Sequence, residues 1–315
     1  MDLDTLKQHF VGSNILNELK WYHFEGYWQE TNIINYYLKQ YATTHHKNLN
    51  RSKISSHQKL LLDDAFEKKR DPPHLICFKN GVYDLKTCQF RSSSYLDYCT
   101  MCTQYIYKQG NSKLPYFLSH IFPYQEDYNH FILTMYQVFK GDRCVIYAKK
   151  HHQGQAGVST LYQLITFMFG SYVNHYHIDY FMSRKLYTLM TNLDYLKLHF
   201  KGKLIRTKFG VLPDDKTINN ISSLTSVLVE GCGNLPNSKV LNFRSQFVHQ
   251  HPNPEKHIYP IESDFQMNEM FDMAQDLIIK MTDLHIIPIK MSRFKPDLCQ
   301  DVIKVIYHYL FYLSL

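Results

Sequence analysis

No apolar run in this chain is long enough to cross a bilayer. The longest late stretch, Val302 to Leu315, is interrupted by Lys304 and His308. It also falls short of the roughly 20 residues a spanning helix needs. The opening decapeptide, MDLDTLKQHF, carries two acids and has no apolar core, so no secretory or transit leader is expected. Glycine is scarce at 12 of 315 residues, and no internal repeat, low-complexity tract or long linker divides the chain. A second metal-type cysteine pair is also missing. Cys99-Thr-Met-Cys102 is one such pair, with Cys77 and Cys88 upstream, but no second pair follows, so no structural zinc is expected. Without a leader, the seven cysteines read as reduced thiols in a cytosolic or nuclear compartment. Acids are in deficit, 28 against 35 Lys and Arg, for a formal charge of +7 and a pI near 8.8. That excess concentrates polyanions, so nucleic acid is a reasonable partner.

Aromatics are plentiful instead: 25 Tyr and 20 Phe. Codon bias toward AT explains such numbers equally well, so abundance alone assigns no base-stacking role. The patterning is more informative. Residues 1 to about 70 read as helical, with Ile33, Ile34, Tyr37, Leu38 and Tyr41 at helical spacing. A further helix is expected over Ser56–Lys69, stopped by Asp71-Pro72-Pro73. Then the period becomes two: His74–Phe78 and Val82–Leu85 flank Lys79-Asn80-Gly81, a strong hairpin signal. Helix returns over Leu114–Tyr136, with a break at Phe122-Pro123. A strand at Cys144–Ala148, a loop at Lys149–Gly157 and a helix at Ser159–Phe169 follow. Further strands are expected at Lys203–Arg206 and Val227–Val229, so the centre of the chain predicts an α/β core with a partly parallel sheet. Beyond Pro260 the stripe Met267, Met270, Phe271, Ala274, Leu277, Ile278 and Met281 predicts a core-facing helix.

The strand–loop–helix segment contains the remains of a phosphate loop. A working G-x-x-x-x-G-K-[ST] loop cradles phosphates with backbone N–H groups, neutralises them with its Lys and reaches the metal through its hydroxyl. Here the register is His152, Gly154, Gly157, Val158, Ser159 and Thr160. His152 replaces the first glycine and Val158 replaces the lysine.

Several segments in order resemble the poxvirus- and asfarvirus-type (D-five-like) primase–helicases of superfamily 3. Thr31–Tyr37 looks like a helix of the domain preceding the helicase core. Cys77–Thr87 is similar to its N-G-V-x-D-L-x-T hairpin, with Phe90-Arg91 as the continuation. Phe117–Pro123 with Glu126-Asp127 looks like the helix entering the core. Leu164 and Gly170-Ser-Tyr172 match the end of the helix after the phosphate loop. Leu228–Pro236 is similar to the strand carrying a sensor asparagine, and Val240–Phe247 to the segment leading out. The resemblance covers about residues 30–250. It implies an α/β core of P-loop NTPase type, as in AAA+ and superfamily 3 proteins. A helical, hairpin-containing N-terminal domain would precede the core and a helical tail would follow, with units at 1–125, 126–260 and 261–315. It implies a form without the primase half of larger members.

Departures from the family decide the expected chemistry. Where its second nucleotide motif places metal-binding carboxylates, Leu198–Gly210 contains no acid. Lys197, Lys201, Lys203, Arg206 and Lys208 crowd that stretch instead. The segment between Ser222 and Val227, where the family carries a DNA-contacting hairpin, is short. Asn234 is the sensor candidate, and Lys239 or Arg244 the trans-acting cation. The expectation is a helicase-like module without ATP hydrolysis, acting in viral DNA replication in the host cytoplasm or nucleus. Its partners would be viral replication proteins, other copies of itself and, weakly and without sequence preference, DNA; no membrane, metal or cofactor is expected. Two other readings stand. One is an active ATP-dependent helicase using ATP and Mg²⁺, with Lys149 or Lys150 replacing the missing lysine. The other is a basic nucleic-acid-binding protein without nucleotide chemistry, with Tyr187 and Tyr195 as stacking candidates beside the basic run.

Overall fold

The computed structural model describes residues 3–15, 18–44, 51–63, 65–103, 105–108, 112–151, 155–176, 204–208, 226–230, 238–248, 252–260 and 267–294. A short helix, α1 (Leu3–Lys7), leads into an antiparallel meander: β1 (Phe10–Ile15), β2 (Glu18–Phe24) and β3 (Trp28–Thr31). The helical expectation for this stretch is therefore corrected. Four consecutive ring-bearing residues, Trp21 to Phe24, favour a pleated surface over a helix, where their χ1 freedom would be lost. Tyr22 and Trp28 bury almost completely, with Phe66 closing the cluster.

Helix α2 (Ile34–Thr44) forms where the spacing predicts it and buries Ile34, Leu38 and Ala42. The expected helix over Ser56–Lys69 is instead two, α3 (Arg51–Leu60) and α4 (Phe66–Lys69). Between them the chain pairs with β1: Gly12 donates to the Leu61 carbonyl at 2.9 Å, and Asp63 donates to the Gly12 carbonyl at 2.8 Å. Those bonds satisfy backbone groups that a continuous helix would otherwise pair internally.

The hairpin is present. Strands β4 (Leu75–Phe78) and β5 (Gly81–Asp84) pair Phe78 with Gly81, and β6 (Gln89–Arg91) adds to β5. Glycine is required at position 81 because a β-carbon there would fall onto the Arg91 carbonyl oxygen of β6. Backbone cannot yield as a flexible side chain can. Gly81→Ala should cost about 2–3 kcal/mol through displaced β5–β6 pairing, read as a lower melting temperature. A melting temperature within a degree of wild type would show that the ladder adapts.

Helices α5 (Leu114–Ile121) and α6 (Gln125–Lys140) follow, separated at Phe122-Pro123 as expected. Then come β7 (Val145–Lys150), α7 (Val158–Phe169), β8 (Val173–Tyr176), β9 (Leu204–Lys208), β10 (Ser226–Glu230) and β11 (Lys239–Phe243). These strands form one sheet in the order β11-β7-β10-β9-β8, every neighbouring pair parallel. The chain leaves β7 for the far edge at β8, works back to β10, and crosses β7 to reach β11. Carboxyl ends at such a reversal open a crevice between diverging connections. A small parallel pair, β12 (Gln246–Val248) and β13 (Ile258–Pro260), lies beyond β11.

Helix α8 (Met267–Phe294) returns along α7, α6 and α5. Met270, Ala274, Leu277, Ile278 and Met281 are buried in the main core, and Phe271 packs at its margin against Phe167. That core runs without interruption from Ile76 and Tyr83 of the hairpin through α5–α7, Ile146 and Leu241 to Leu284. Polar contacts tie α8 to α6 and to the end of the hairpin. His285 holds the Leu85 carbonyl through Nε2 at 2.8 Å and the Tyr136 hydroxyl through Nδ1 at 3.2 Å.

Candidate functional site

The crevice at the carboxyl ends of β7 and β11 is the place to look for chemistry. Strand β7 ends in Lys149 and Lys150, both exposed and in register with Asn242 and Phe243. His151 follows; His152 and Gly154 of the phosphate-loop remnant lie outside the described residues. The loop re-enters at Gln155, whose carbonyl accepts from Phe247 N at 2.8 Å, so β12 fastens its far side. Gly157 starts α7 with φ 74°. A β-carbon there would collide with Ile121, which leaves glycine as the residue that fits.

Val158 then turns inward. It is 2% exposed and belongs to the main apolar core. A lysine at that position would have to reach phosphates in the crevice; this side chain packs among Leu, Ile and Phe. Ser159 is exposed and Thr160 half-buried at the first turn of α7. Gly157, Val158, Ser159 and Thr160 thus lie at a strand-to-helix junction beside the crevice.

The basic run is described only in part. Lys197, Lys201 and Lys203 lie outside the described residues, as do the candidate stacking residues Tyr187 and Tyr195. For Arg206 and Lys208, the β9 backbone alone is described. Asn234 lies outside the described residues. Lys239 and Arg244 take opposite ends of the β11 segment. Lys239 donates to Gln137 Oε1 of α6 within its own chain. Arg244 sits at the crevice, with Nε 2.9 Å from Asp127 Oδ2.

Sequence reading missed the partners that surround Arg244. Asp127, 7% exposed, also accepts from Asn242 Nδ2 at 3.0 Å, and Asn242 Oδ1 lies 3.1 Å from His151 Nε2. Asp127 stands in the first turn of α6, where a carboxylate complements the helix dipole. Its partners lie over a hundred residues away, and no local pattern announces them. Tyr124, His151, Arg244, Glu255, Lys256 and His257 line a cleft of about 380 Å³ at this point. The Arg244 guanidinium lies 4.9 Å from the Tyr124 ring centre, and His257 meets that ring edge-on at 4.9 Å.

Three cysteines converge elsewhere. Cys77 of β4, Cys99 and Cys102 share a buried apolar cluster with Leu75 and Val82. Hydrogen bonds with Cys102 and Cys99, together with burial, push the Cys77 thiol far up, so it stays protonated. Among the described residues no group of three His, Cys, Asp or Glu is placed to hold a metal ion. Among them, too, no helix is long and apolar enough to cross a membrane.

Comparison with known proteins bears on the N-terminal third. Residues 11–123 match the family described as D5 N terminal like. This segment matches the N-terminal family of the D5-like primase–helicases. The match takes in β1–β6 and α2–α5 and ends at Pro123, immediately before α6. The resemblances noted at Thr31–Tyr37, Cys77–Thr87, Phe90-Arg91 and Phe117–Pro123 all fall within this D5-like segment. Those at Glu126-Asp127, at the phosphate-loop remnant and at Leu228–Phe247 lie outside it. No curated protein matches the chain.

Proposed function

We propose that the chain is a helicase-like module of the D5-like replication family whose nucleotide site has lost phosphoryl-transfer chemistry. Its role would be structural or regulatory in viral DNA replication, within the host cytoplasm or nucleus. Val158 carries this reading: the residue standing at the lysine position is sealed in the core. Loss of the acids over Leu198–Gly210 removes the second requirement, carboxylates for Mg²⁺. The parallel sheet, with β7 between β10 and β11 and a strand–loop–helix at its carboxyl end, supports a P-loop NTPase ancestry.

Purified protein should therefore show no ATP turnover and no duplex unwinding above background. Turnover lost with Ser159→Ala or Lys150→Ala would establish the alternative, a working helicase with a nonstandard loop. Turnover indifferent to Ser159→Ala would mark a contaminant.

The positive charge of the run Lys197–Lys208 favours a secondary property, weak and sequence-independent DNA binding. Each phosphate contact on duplex contributes about −0.9 to the log–log salt slope. Neutralising Lys201, Arg206 and Lys208 together should flatten that slope by up to about 3 units. An unchanged slope in the triple variant would identify the run as a solvated face.

A further inference from the structure

We infer that the cleft around Tyr124 is a contact site for one nucleotide unit of single-stranded nucleic acid. The inference rests on the replication reading above but uses none of the residues of the phosphate-loop remnant or the basic run. Tyr124 is the residue preceding α6, so the helix start fixes its backbone. The residue is 44% exposed although Arg244 and His257 both touch its ring. An exposed aromatic held by neighbours is a pre-ordered platform, because little side-chain freedom is lost when a base stacks on it. Arg planes stack bases in the same way.

The cations are arranged for a backbone phosphate. Asp127 engages Arg244 at Nε only, and the two Nη groups have no hydrogen-bond partner among the described residues. Lys256, exposed on the turn before β13, lines the same cleft. His257 lines the cleft as well, with its Nδ1 atom buried and without a partner among the described residues, while the Nε2–H of His151 is donated to Asn242 Oδ1. Glu255 is the opposing carboxylate on the lining and limits the site to few phosphates. A cleft of about 380 Å³ suits one nucleotide unit rather than a duplex. Stacking plus few phosphate contacts favours a single strand, whose bases are unpaired and whose backbone bends into a cleft.

The test is fluorescence anisotropy of a labelled oligodeoxythymidylate with the full chain at low salt. Tyr124→Ala should weaken binding roughly five- to a hundred-fold, the usual range for one stacked base. Tyr124→Trp should retain it. Lys256→Ala should flatten the salt slope by about 0.7, one single-strand phosphate. ATP at millimolar concentration should displace the oligonucleotide no better than the same ionic strength of salt. Unchanged binding and slope in Tyr124→Ala and Lys256→Ala proteins that melt as wild type would overturn the site. So would equal loss in the Ala and Trp variants, or displacement by ATP beyond the salt control. These outcomes are independent of ATP turnover. Turnover would sink the inactive-module reading and leave this measurement intact, whereas unchanged binding here would remove this site and leave that reading standing.

Discussion

Val158→Lys should gain no ATP turnover and should lose stability. The side chain it replaces is 2% exposed in the main core. The new ammonium must either bury without a partner or drag the first turn of α7 outward. Either route falls among the severe mechanisms of single substitutions, and a loss of about 3–5 kcal/mol is expected. Val158→Ala removes only methyl groups and should cost about 1–2 kcal/mol. Denaturant unfolding of the two variants beside wild type separates the terms. A lysine variant as stable as wild type would mean that position 158 reaches the crevice after all. Activity in that variant would mean that a lysine was the only missing part.

Asp71→Ala should be of comparable size, for a different reason. Asp71 accepts from Thr100 N at 2.6 Å, Thr100 Oγ1 at 2.5 Å and Met101 N at 3.0 Å. It thereby fastens the segment that carries Cys99 and Cys102 and meets Ser171 beyond α7. Removing it strands three donors, each worth about 1–3 kcal/mol when left unsatisfied, less whatever water recovers. Its φ of 53° adds strain for alanine that asparagine tolerates better. A total near 3–5 kcal/mol is expected for Ala and roughly half for Asn.

The pH dependence has a definite sign. Burial raises the Asp71 carboxyl above its ordinary 3.8, against the pull of its Thr100 bonds. A raised folded value means the proton is held more tightly folded than unfolded. That contribution is complete below pH 3.8 and is lost as pH rises through the folded value. The cost of Asp71→Asn, which cannot ionise, should therefore be largest in acid and shrink toward neutral pH. A cost that grows with pH would reverse the assignment.

Where period and punctuation are local, the chain was legible. The hairpin at Leu75–Asp84, helix Ile34–Thr44, the Phe122-Pro123 break, the strand–loop–helix around Gly157 and the stripe on α8 all depend on neighbours within a few residues. The meander at Phe10–Thr31 was not legible. Leu16 and Leu19 happen to fall at helical spacing, while the aromatic run that decides the matter belongs to pairing across strands. Nor was the division between α3 and α4, which exists because Gly12, some fifty residues away, supplies backbone partners. At the site, the strand–loop–helix junction that carries Gly157 and Val158 could be read directly. The cluster of Asp127, Asn242, His151 and Arg244 could not, since folding alone brings α6 to the end of β11. Glu126-Asp127 had been visible as part of a helix start, without a role.

Titration of Mg²⁺–ATP into the wild-type chain by calorimetry tests the central claim most directly. A core-facing Val158 and an acid-free Leu198–Gly210 predict no saturable heat at micromolar to millimolar nucleotide. Saturable binding that requires Mg²⁺ and disappears with Ser159→Ala would contradict the account.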